Sequence, residues 1–128
     1  MKNVPFGSAL VTGASSGIGA VIAEELGRAG VPTVLVARRR DRLEGLAERY
    51  DGFDVLVADL TTDAGQRAVA ERISDAGSPI DLVVNCAGFG TSGPFHELDP
   101  ARLAREIELN VGSIEQVHVK AKALQESA

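Results

Sequence analysis

The sequence predicts an α/β fold, in which parallel strands alternate with helices and form one sheet with helices on its faces. Short apolar runs rich in β-branched residues recur along the chain, as at residues 33–37. Stretches with apolar residues at helical spacing come after them, as at residues 41–50. Glycine, proline and aspartate stand between these segments, where they end one element before the next begins.

The size and charge of the chain limit its class. It has 128 residues, of which 18 are acidic and 13 basic, and its formal net charge is −5. We expect a single domain over residues 1–128, large enough to bury about two thirds of its unfolded surface. The acidic balance argues against nucleic acid or an anionic membrane surface as the main partner.

The signals for a compartment agree with one another. No segment approaches the roughly 20 apolar residues of a membrane span, and residues 1–7 lack an apolar core of signal-peptide length. The lone Cys86 cannot form an internal disulfide. We therefore expect a reducing, cytoplasmic setting.

A glycine-rich turn joins the first predicted strand, residues 8–12, to the first predicted helix. Gly13, Gly17 and Gly19 form this turn. Unpaired N–H groups and the positive end of the macrodipole make such a helix start an anion site, and glycines let the backbone approach a pyrophosphate. A glycine triplet taken alone is more often an ordinary turn, but the strand before it and the helix after it favour phosphate binding.

Arginines follow the second predicted strand, residues 33–37. A right-handed crossover places the carboxyl ends of the first two strands at one sheet edge, and residues 38–40 are all arginine there. A carboxylate at this place would repel a ribose 2′-phosphate, whereas a guanidinium binds it through charge-assisted hydrogen bonds. Proteins that bind NAD more often carry an acidic residue at this strand end, where it hydrogen-bonds the adenosine ribose. In this sequence Ala37 stands at or near that position, so the pattern favours NADP(H). Arg38 is the first candidate for binding the 2′-phosphate and Arg39 the second. A solvated arginine cluster is the alternative.

The third and fourth strands end at the same edge. Residues 55–58 predict the third strand, after which Asp59 begins a turn into a helix that extends to about residue 76. Asp59 can cap that turn. Residues 82–84 predict the fourth strand, and residues 85–88, Asn-Cys-Ala-Gly, come directly after it. We interpret Cys86 as a small apolar filler, because no histidine is near it in sequence.

The last predicted helix begins with Asp99 as N-cap and Pro100 at its first position, after a loop over residues 89–94. Its apolar residues recur at helical spacing and predict one apolar face: Leu103, Ile107, Val111, Ile114 and Val117. Asn110 on this helix is, by itself, an ordinary helix amide. His96 and His118 are far apart and have no clustered Asp or Cys near them, so we expect no metal site.

Together these motifs resemble the short-chain dehydrogenase/reductase family. Residues 12–19 match its Thr-Gly-x-x-x-Gly-x-Gly signature without a gap. Residues 85–88 resemble its Asn-Asn-Ala-Gly motif, with Cys86 in place of the second Asn, and residues 108–112, Glu-Leu-Asn-Val-Gly, resemble the segment that carries its catalytic Asn. The resemblance covers roughly residues 8–113 and corresponds to the N-terminal, cofactor-binding half of a family domain.

The resemblance implies a fold and an activity. The fold is a Rossmann-type sheet with strand order 3-2-1-4, flanked by helices and ending before the family's fifth strand. The activity is hydride transfer between NADP(H) and a carbonyl or alcohol substrate, with Asn110 as catalytic residue and Asp59 in contact with the adenine ring. The implied cofactor-binding residues are Gly13, Ser15, Ser16, Gly17, Ile18, Gly19, Arg38, Arg39, Asp59, Leu60, Asn85, Ala87 and Gly88.

The family's proton-transfer residues have no match in this sequence. In the family a Ser and a Tyr-x-x-x-Lys pair come after the fifth strand, and the Tyr, its pKa lowered by the Lys, supplies the proton. The only tyrosine here is Tyr50, on the second predicted helix. We therefore expect this chain alone to be nearly inert. The alternatives are a non-catalytic nucleotide-binding or assembly module, and a structural domain that binds no nucleotide.

The predicted strand order also leaves the fourth strand at a sheet edge. A strand of the apolar, buried type with a free edge pairs readily with another chain. We therefore expect a homo-oligomer that forms through the uncovered fourth strand or the last helix.

Overall fold

The computed structural model describes residues 5–89 and 93–126. Its strands are β1 (Ala9–Thr12), β2 (Thr33–Ala37), β3 (Phe53–Val57) and β4 (Leu82–Asn85). Its helices are α1 (Gly17–Arg28), α2 (Arg40–Ala47), α3 (Asp63–Ile73), α4 (Pro100–Ile107) and α5 (Ser113–Glu126). A 3₁₀ turn (Phe95–Glu97) precedes α4, and a π-helical turn (Glu108–Gly112) joins α4 to α5. Residues 90–92 of the predicted loop lie outside the described residues.

The four strands form one parallel sheet in the order β3-β2-β1-β4, which confirms the predicted Rossmann-type topology. The central strand β1 pairs with β2 on one side and with β4 on the other. Thr12, its last residue, is in register with Val36 and with Asn85. This register brings the carboxyl ends of these strands to one edge, as expected of a parallel sheet with right-handed crossovers.

Two apolar clusters cover the two faces of the sheet. On one face Ala9 and Val11 of β1 pack with residues of α1 and α2, and on the other face Leu10 packs with Val69 of α3 and Val117 of α5. The alternation results from the two-residue period of a strand. Because helices cover both faces of the sheet, its edges are where a ligand can reach the strands.

Helix ends agree with the local signals in the sequence. Gly30, with a φ of +75°, lies just past the end of α1. The Thr62 hydroxyl accepts a hydrogen bond from the Gly65 N–H at 3.0 Å and caps α3. The Asp99 carboxylate accepts one from the Ala101 N–H at 3.0 Å and caps α4. These caps set the positions at which α3 and α4 leave the sheet edge.

The last helix differs from its prediction. The sequence predicts one helix with a continuous apolar face, but the π-helical turn divides it, and Ile107 and Val111 are 66% and 63% exposed. A π turn adds a residue and rotates the next helical segment about the helix axis. The buried residues of α5 are Ser113, Val117 and Ala121. Exposed Ile107, Val111 and Ile114 therefore form an apolar stripe on the surface, which we call the α4–α5 stripe.

No helix within the described residues combines the length and the apolar character needed to cross a bilayer.

Candidate nucleotide-binding site

A cleft of about 710 Å³ lies at the carboxyl edge of the sheet. Residues just past each of the four strands line it, together with the start of α1 and one side of α4. In open α/β sheets, ligands bind in the crevice beyond the carboxyl ends of the strands. The cleft is therefore the candidate functional site.

The glycine turn after β1 forms one wall of the cleft. Gly13 has a φ of +64°, and a Cβ there would lie 2.6 Å from the carbonyl oxygen of Cys86 and 2.7 Å from the nitrogen of Ala87. A Cβ on Gly19 would lie 2.1 Å from the carbonyl oxygen of Gly13. The turn can therefore pack this tightly against the end of β4 only with glycine at both positions.

Gly17 has a different reason to be glycine. Its φ is +57°, but a Cβ there would meet no described atom within 4 Å. The space beside it is the cleft itself. In the part of the chain that the structure describes, the Ser16 side chain makes no capping hydrogen bond to α1. The first N–H groups of α1 therefore lie at the cleft, where a bound anion would accept their hydrogen bonds.

Thr12 holds the turn to the motif after β4. Its hydroxyl oxygen accepts hydrogen bonds from the N–H groups of Cys86 at 3.1 Å and Ala87 at 3.2 Å. Thr12 itself is buried, and the two bonds are partly buried. The sequence pattern alone indicates no separate role for Thr12. Its place at the head of the Thr-Gly motif is the signal that could have found it.

Arginines form a second wall, after β2. Arg38, Arg39 and Arg42 line the cleft, whereas Arg40 points to Glu44 at 3.6 Å. Among the described residues, no salt bridge joins Arg38, Arg39 or Arg42 to a carboxylate. Their charge is therefore available to an anion in the cleft. The sequence identified the first two. Arg42 lies within α2, and its place in the cleft depends on how that helix packs against the sheet.

Asp59 lies at the end of β3 and lines the cleft. Its carboxylate accepts hydrogen bonds from the Thr61 hydroxyl at 2.6 Å and from the Thr61 N–H at 3.0 Å. The side-chain bond from Thr61 is the main cause that lowers the pKa of Asp59, and nearby Arg38 lowers it further. Asp59 is therefore held ionised in the turn after β3. Its contact with an adenine ring stays a prediction.

Asn110 lies in the π-helical turn and holds the segment after β4. Its side-chain oxygen accepts a hydrogen bond from the Phe89 N–H at 3.0 Å, and its Nδ2 donates to the Phe89 carbonyl at 2.8 Å. A Cβ on Gly88 would lie 2.6 Å from the Asn110 side-chain oxygen. Asn110 therefore fixes the backbone at residues 88–89, and its catalytic role stays a prediction.

Most of the residues proposed from the sequence to bind cofactor lie together in the cleft. Those that line it are Gly13, Ser15, Ser16, Gly17, Ile18, Arg38, Arg39, Asp59, Leu60, Ala87 and Gly88. Gly19, Asn85 and Asn110 are not in the lining. Gly19 is buried below the glycine turn, and Asn85 is exposed at the end of β4.

Further lining residues were not predicted from the sequence. They are Val36, Ala37, Arg42, Ala58, Thr61, Cys86, Phe89, Arg102, Arg105 and Leu109. Several of them continue a segment that the sequence had identified. The residues on α4 do not, because local patterning cannot say which side of a helix faces a cleft formed by distant strands. The spacing of Arg102, Arg105 and Leu109 along one helix side was the available signal.

Comparison with known proteins places this geometry in context. The family sequence model described as short chain dehydrogenase matches residues 8–126. Galactitol 2-dehydrogenase of Rhizobium johnstonii is 36% identical over 110 residues, which are 83% of this chain and 43% of that protein.

Solved structures give the same picture. A short-chain dehydrogenase from Sphingobium yanoikuyae, in complex with NADPH, has a TM-score of 0.82 at 37% identity and covers 89% of this chain and 46% of its own. The bulky-bulky ketone specific alcohol dehydrogenase from Comamonas testosteroni has a TM-score of 0.83 at 36% identity and covers 91% of this chain and 48% of its own. The chain spans less than half the length of each of these relatives.

Proposed function

Because the chain belongs to the short-chain dehydrogenase family, we propose that it is the NADP(H)-binding portion of an oxidoreductase that acts on a carbonyl or alcohol substrate. One observation carries the proposal: the cleft combines a glycine turn at the start of α1 with three arginines after β2. The turn suits a pyrophosphate, and the arginines suit a ribose 2′-phosphate.

The residues present fit such a cofactor. The cleft volume of about 710 Å³ falls within the range of roughly 300–1,000 Å³ that small-molecule and cofactor sites occupy. The open space beside Gly17, which a side chain would fill, is where backbone N–H groups can approach phosphate oxygens. Arg38 and Arg39 would bind the 2′-phosphate, and Asp59 and Leu60 would lie beside the adenine ring.

The chemistry divides between the cofactor and the chain. When bound, the nicotinamide supplies or accepts a hydride. The chain's own residues orient it: Asn110 fixes the Phe89 backbone through two hydrogen bonds, and Thr12 fixes the backbone of Cys86 and Ala87. We propose that Asn110 is the catalytic-site residue contributed by this portion.

We further propose that these 128 residues alone do not complete the reaction. Hydride transfer at a carbonyl requires a proton donor, and loss of proton transfer costs about 10²–10⁴-fold in rate. Tyr50, the single tyrosine, packs against Phe53 with ring centroids 5.1 Å apart, and neither residue lines the cleft. Its position supports a structural role in the core rather than proton transfer.

Isothermal titration calorimetry with NADPH, NADH and 2′-AMP tests the binding proposal. We expect NADPH to bind more tightly than NADH, and 2′-AMP to compete with NADPH. Absence of binding by all three would refute the proposal and leave a structural domain that binds no nucleotide. A non-catalytic nucleotide-binding or assembly module would bind in the same way. Addition of a separate chain that carries the Tyr-x-x-x-Lys pair distinguishes them, because only a portion of an enzyme gains reductase activity.

In the described part of the chain, β4 pairs with β1 on one side and with no strand on the other. Val83 of β4 is 38% exposed. We propose that a second copy of the chain covers β4 or the α4–α5 stripe. A reducing, cytoplasmic setting stays a prediction from the lone Cys86.

A further inference from the structure

Two arginines of α4 line the cleft from a side that the glycine turn and the β2 arginines do not occupy. Arg102 and Arg105 stand one helix turn apart on α4, and Leu109 of the following π-helical turn also lines the cleft. We call Arg102 and Arg105 the α4 arginine pair. The residues that line the cleft thus include arginines from two separate helices.

The pair belongs to the β4 side of the cleft. The Arg102 guanidinium stands over the ring of Phe89, with its central carbon 4.8 Å from the ring centroid. Phe89 comes shortly after β4, whereas Arg38 comes directly after β2, and these two strands lie on opposite sides of β1. The α4 pair and the β2 arginines therefore flank the glycine turn from both sides.

The charge of the cleft is opposite in sign to that of the chain. The chain has a net charge of −5, yet the described residues that line its cleft include five arginines and one acidic residue, Asp59. Within the described residues, no carboxylate forms a salt bridge with Arg105. By contrast, Arg28 and Arg49, outside the cleft, each pair with a glutamate. A concave surface with this charge concentrates a positive potential on a bound ligand.

The position of Arg102 is locally unfavourable for the helix. Arg102 is the third residue of α4, and a cation in the first turn opposes the helix macrodipole. The stack on Phe89 holds the guanidinium at the cleft wall through a cation–π contact. Phe89 is in turn fixed by its two backbone hydrogen bonds to Asn110. Asn110 therefore fixes the backbone of the residue against whose ring Arg102 stacks.

We propose that Arg102 and Arg105 form a second anion-binding wall of the nucleotide site and contribute to its preference for a phosphorylated dinucleotide. This inference rests on the proposed function, since it requires a dinucleotide in the cleft. The 2′-phosphate adds about 1.5 to 2 negative charges at pH 7, which NADH lacks. A wall that acts through charge therefore strengthens the binding of NADPH more than that of NADH.

The test compares a double variant, Arg102→Gln with Arg105→Gln, with the unaltered chain by calorimetric titration of NADPH and NADH at low and high salt. We expect the Kd of NADPH to rise about tenfold at low salt, that of NADH to rise less, and the difference to shrink in high salt. The matched control is Arg40→Gln with Lys122→Gln, which removes two charges from exposed residues outside the cleft. We expect it to leave both Kd values within about twofold of the unaltered chain.

The outcomes separate this inference from the proposed function. If the unaltered chain binds neither dinucleotide, the proposed function fails and the inference fails with it. If the unaltered chain binds NADPH and the double variant binds it equally well, or loses affinity for NADPH and NADH by the same factor, the inference alone is overturned. Arg105→Gln alone repeats the test without loss of the Arg102 stack, in case the double variant unfolds at a lower temperature.

Discussion

Three glycines with positive φ show how one backbone requirement serves different purposes. Gly13, Gly17 and Gly30 have φ values of +64°, +57° and +75°. A Cβ on Gly13 would collide with the backbone after β4, but on Gly17 or Gly30 it would meet no described atom within 4 Å. Only Gly17 combines the open space with a place in the cleft. Gly30 is therefore a natural control for Gly17.

Gly17→Ala and Gly30→Ala are expected to destabilise the chain by similar amounts, about 1–2 kcal/mol each, because both force a Cβ into the left-handed region. Urea denaturation measures this. Only Gly17→Ala is expected to weaken the binding of NADPH, since its methyl group would enter the space proposed for phosphate. Equal NADPH affinity in the two variants would contradict the assignment of Gly17. Gly13→Ala, with its added backbone collision, is expected to destabilise more than either.

Arg38→Asp is expected to weaken the binding of NADPH more than that of NADH, because it replaces a hydrogen-bond donor to the 2′-phosphate with a carboxylate that repels it. A hydrogen bond to a charged group contributes about 1.5–3 kcal/mol, so the Kd for NADPH should rise roughly 10- to 150-fold. Calorimetric titration of both cofactors checks it. Arg40→Asp is the control, because Arg40 lies outside the cleft and its ion pair with Glu44 is solvent-exposed. A cofactor ratio that is unchanged by Arg38→Asp would overturn the role of Arg38.

The sequence predicted individual site residues where the signal is local. The glycines and Arg38 come directly after a strand end, so a motif read along the chain is enough to identify them. Thr12 and the α4 arginine pair act across the fold, the first through bonds to residues more than seventy positions away. A single sequence carries no direct record of such contacts, which is why they emerged only from the structure.

Among the elements, β1 and β4 are joined at both ends by side chains as well as by their ladder. Thr12 accepts two N–H bonds at the carboxyl end. At the other end, the Asp81 carboxylate accepts hydrogen bonds from the Gly7 N–H at 2.8 Å and the Ser8 N–H at 2.9 Å. These bonds lower the pKa of Asp81. The pairing of β1 with β4 is therefore supported by the Asp81 carboxylate, which titrates, at the end of the strands away from the cleft.

The native state consequently binds fewer protons at Asp81 than the unfolded chain does. Its contribution to stability is fully present above the unfolded pKa of about 4, and it is lost as the pH falls through the lowered native pKa. Asp81→Asn should therefore be less stable than the unaltered chain at pH 7, and this difference should shrink toward pH 2. Urea denaturation at several pH values measures both. A difference that does not change with pH would contradict this role for the carboxylate.

The elements themselves were predictable to different degrees. Strand β2 has the predicted bounds, because its β-branched run is short and Gly30 and Pro32 mark its start. The last helix was predicted as one helix, and the π-helical turn within it was not predicted. Its π-helical turn coincides with the two bonds from Asn110 to Phe89, a tertiary contact that helical periodicity does not reveal.

At the scale of the whole molecule, two exposed apolar features stand out among the described residues: the edge of β4, which pairs with no described strand, and the α4–α5 stripe. Val83 lies on the first, and Ile107 and Val111 lie on the second. An open strand edge pairs with another strand through backbone hydrogen bonds, and an edge lysine opposes this pairing. The fold order made the edge of β4 predictable from sequence, and the sequence also predicted an apolar face on the last helix as a possible contact between copies.

We expect the chain to sediment as a dimer or larger species at micromolar concentration in analytical ultracentrifugation. Val83→Lys should shift it toward monomer if β4 forms the contact, and Val111→Lys should do so if the stripe forms it. Val111 is 63% exposed, so thermal unfolding of Val111→Lys should change little, whereas Val83 is only 38% exposed, so Val83→Lys should unfold at a somewhat lower temperature. A monomer at every concentration tested would contradict the proposed association.

The hydrogen bond between Thr12 and Cys86 joins residues 74 positions apart in the chain. The two sides of the cleft that follow β1 and β4 therefore come together only when β4 pairs with β1. Closing so long a loop is among the later and slower steps open to a folding chain. A dinucleotide that contacts both sides of the cleft would stabilise this late-forming pairing of β1 with β4. Its presence during refolding should therefore favour the chain in which β4 is paired with β1 over every intermediate in which these strands are still apart.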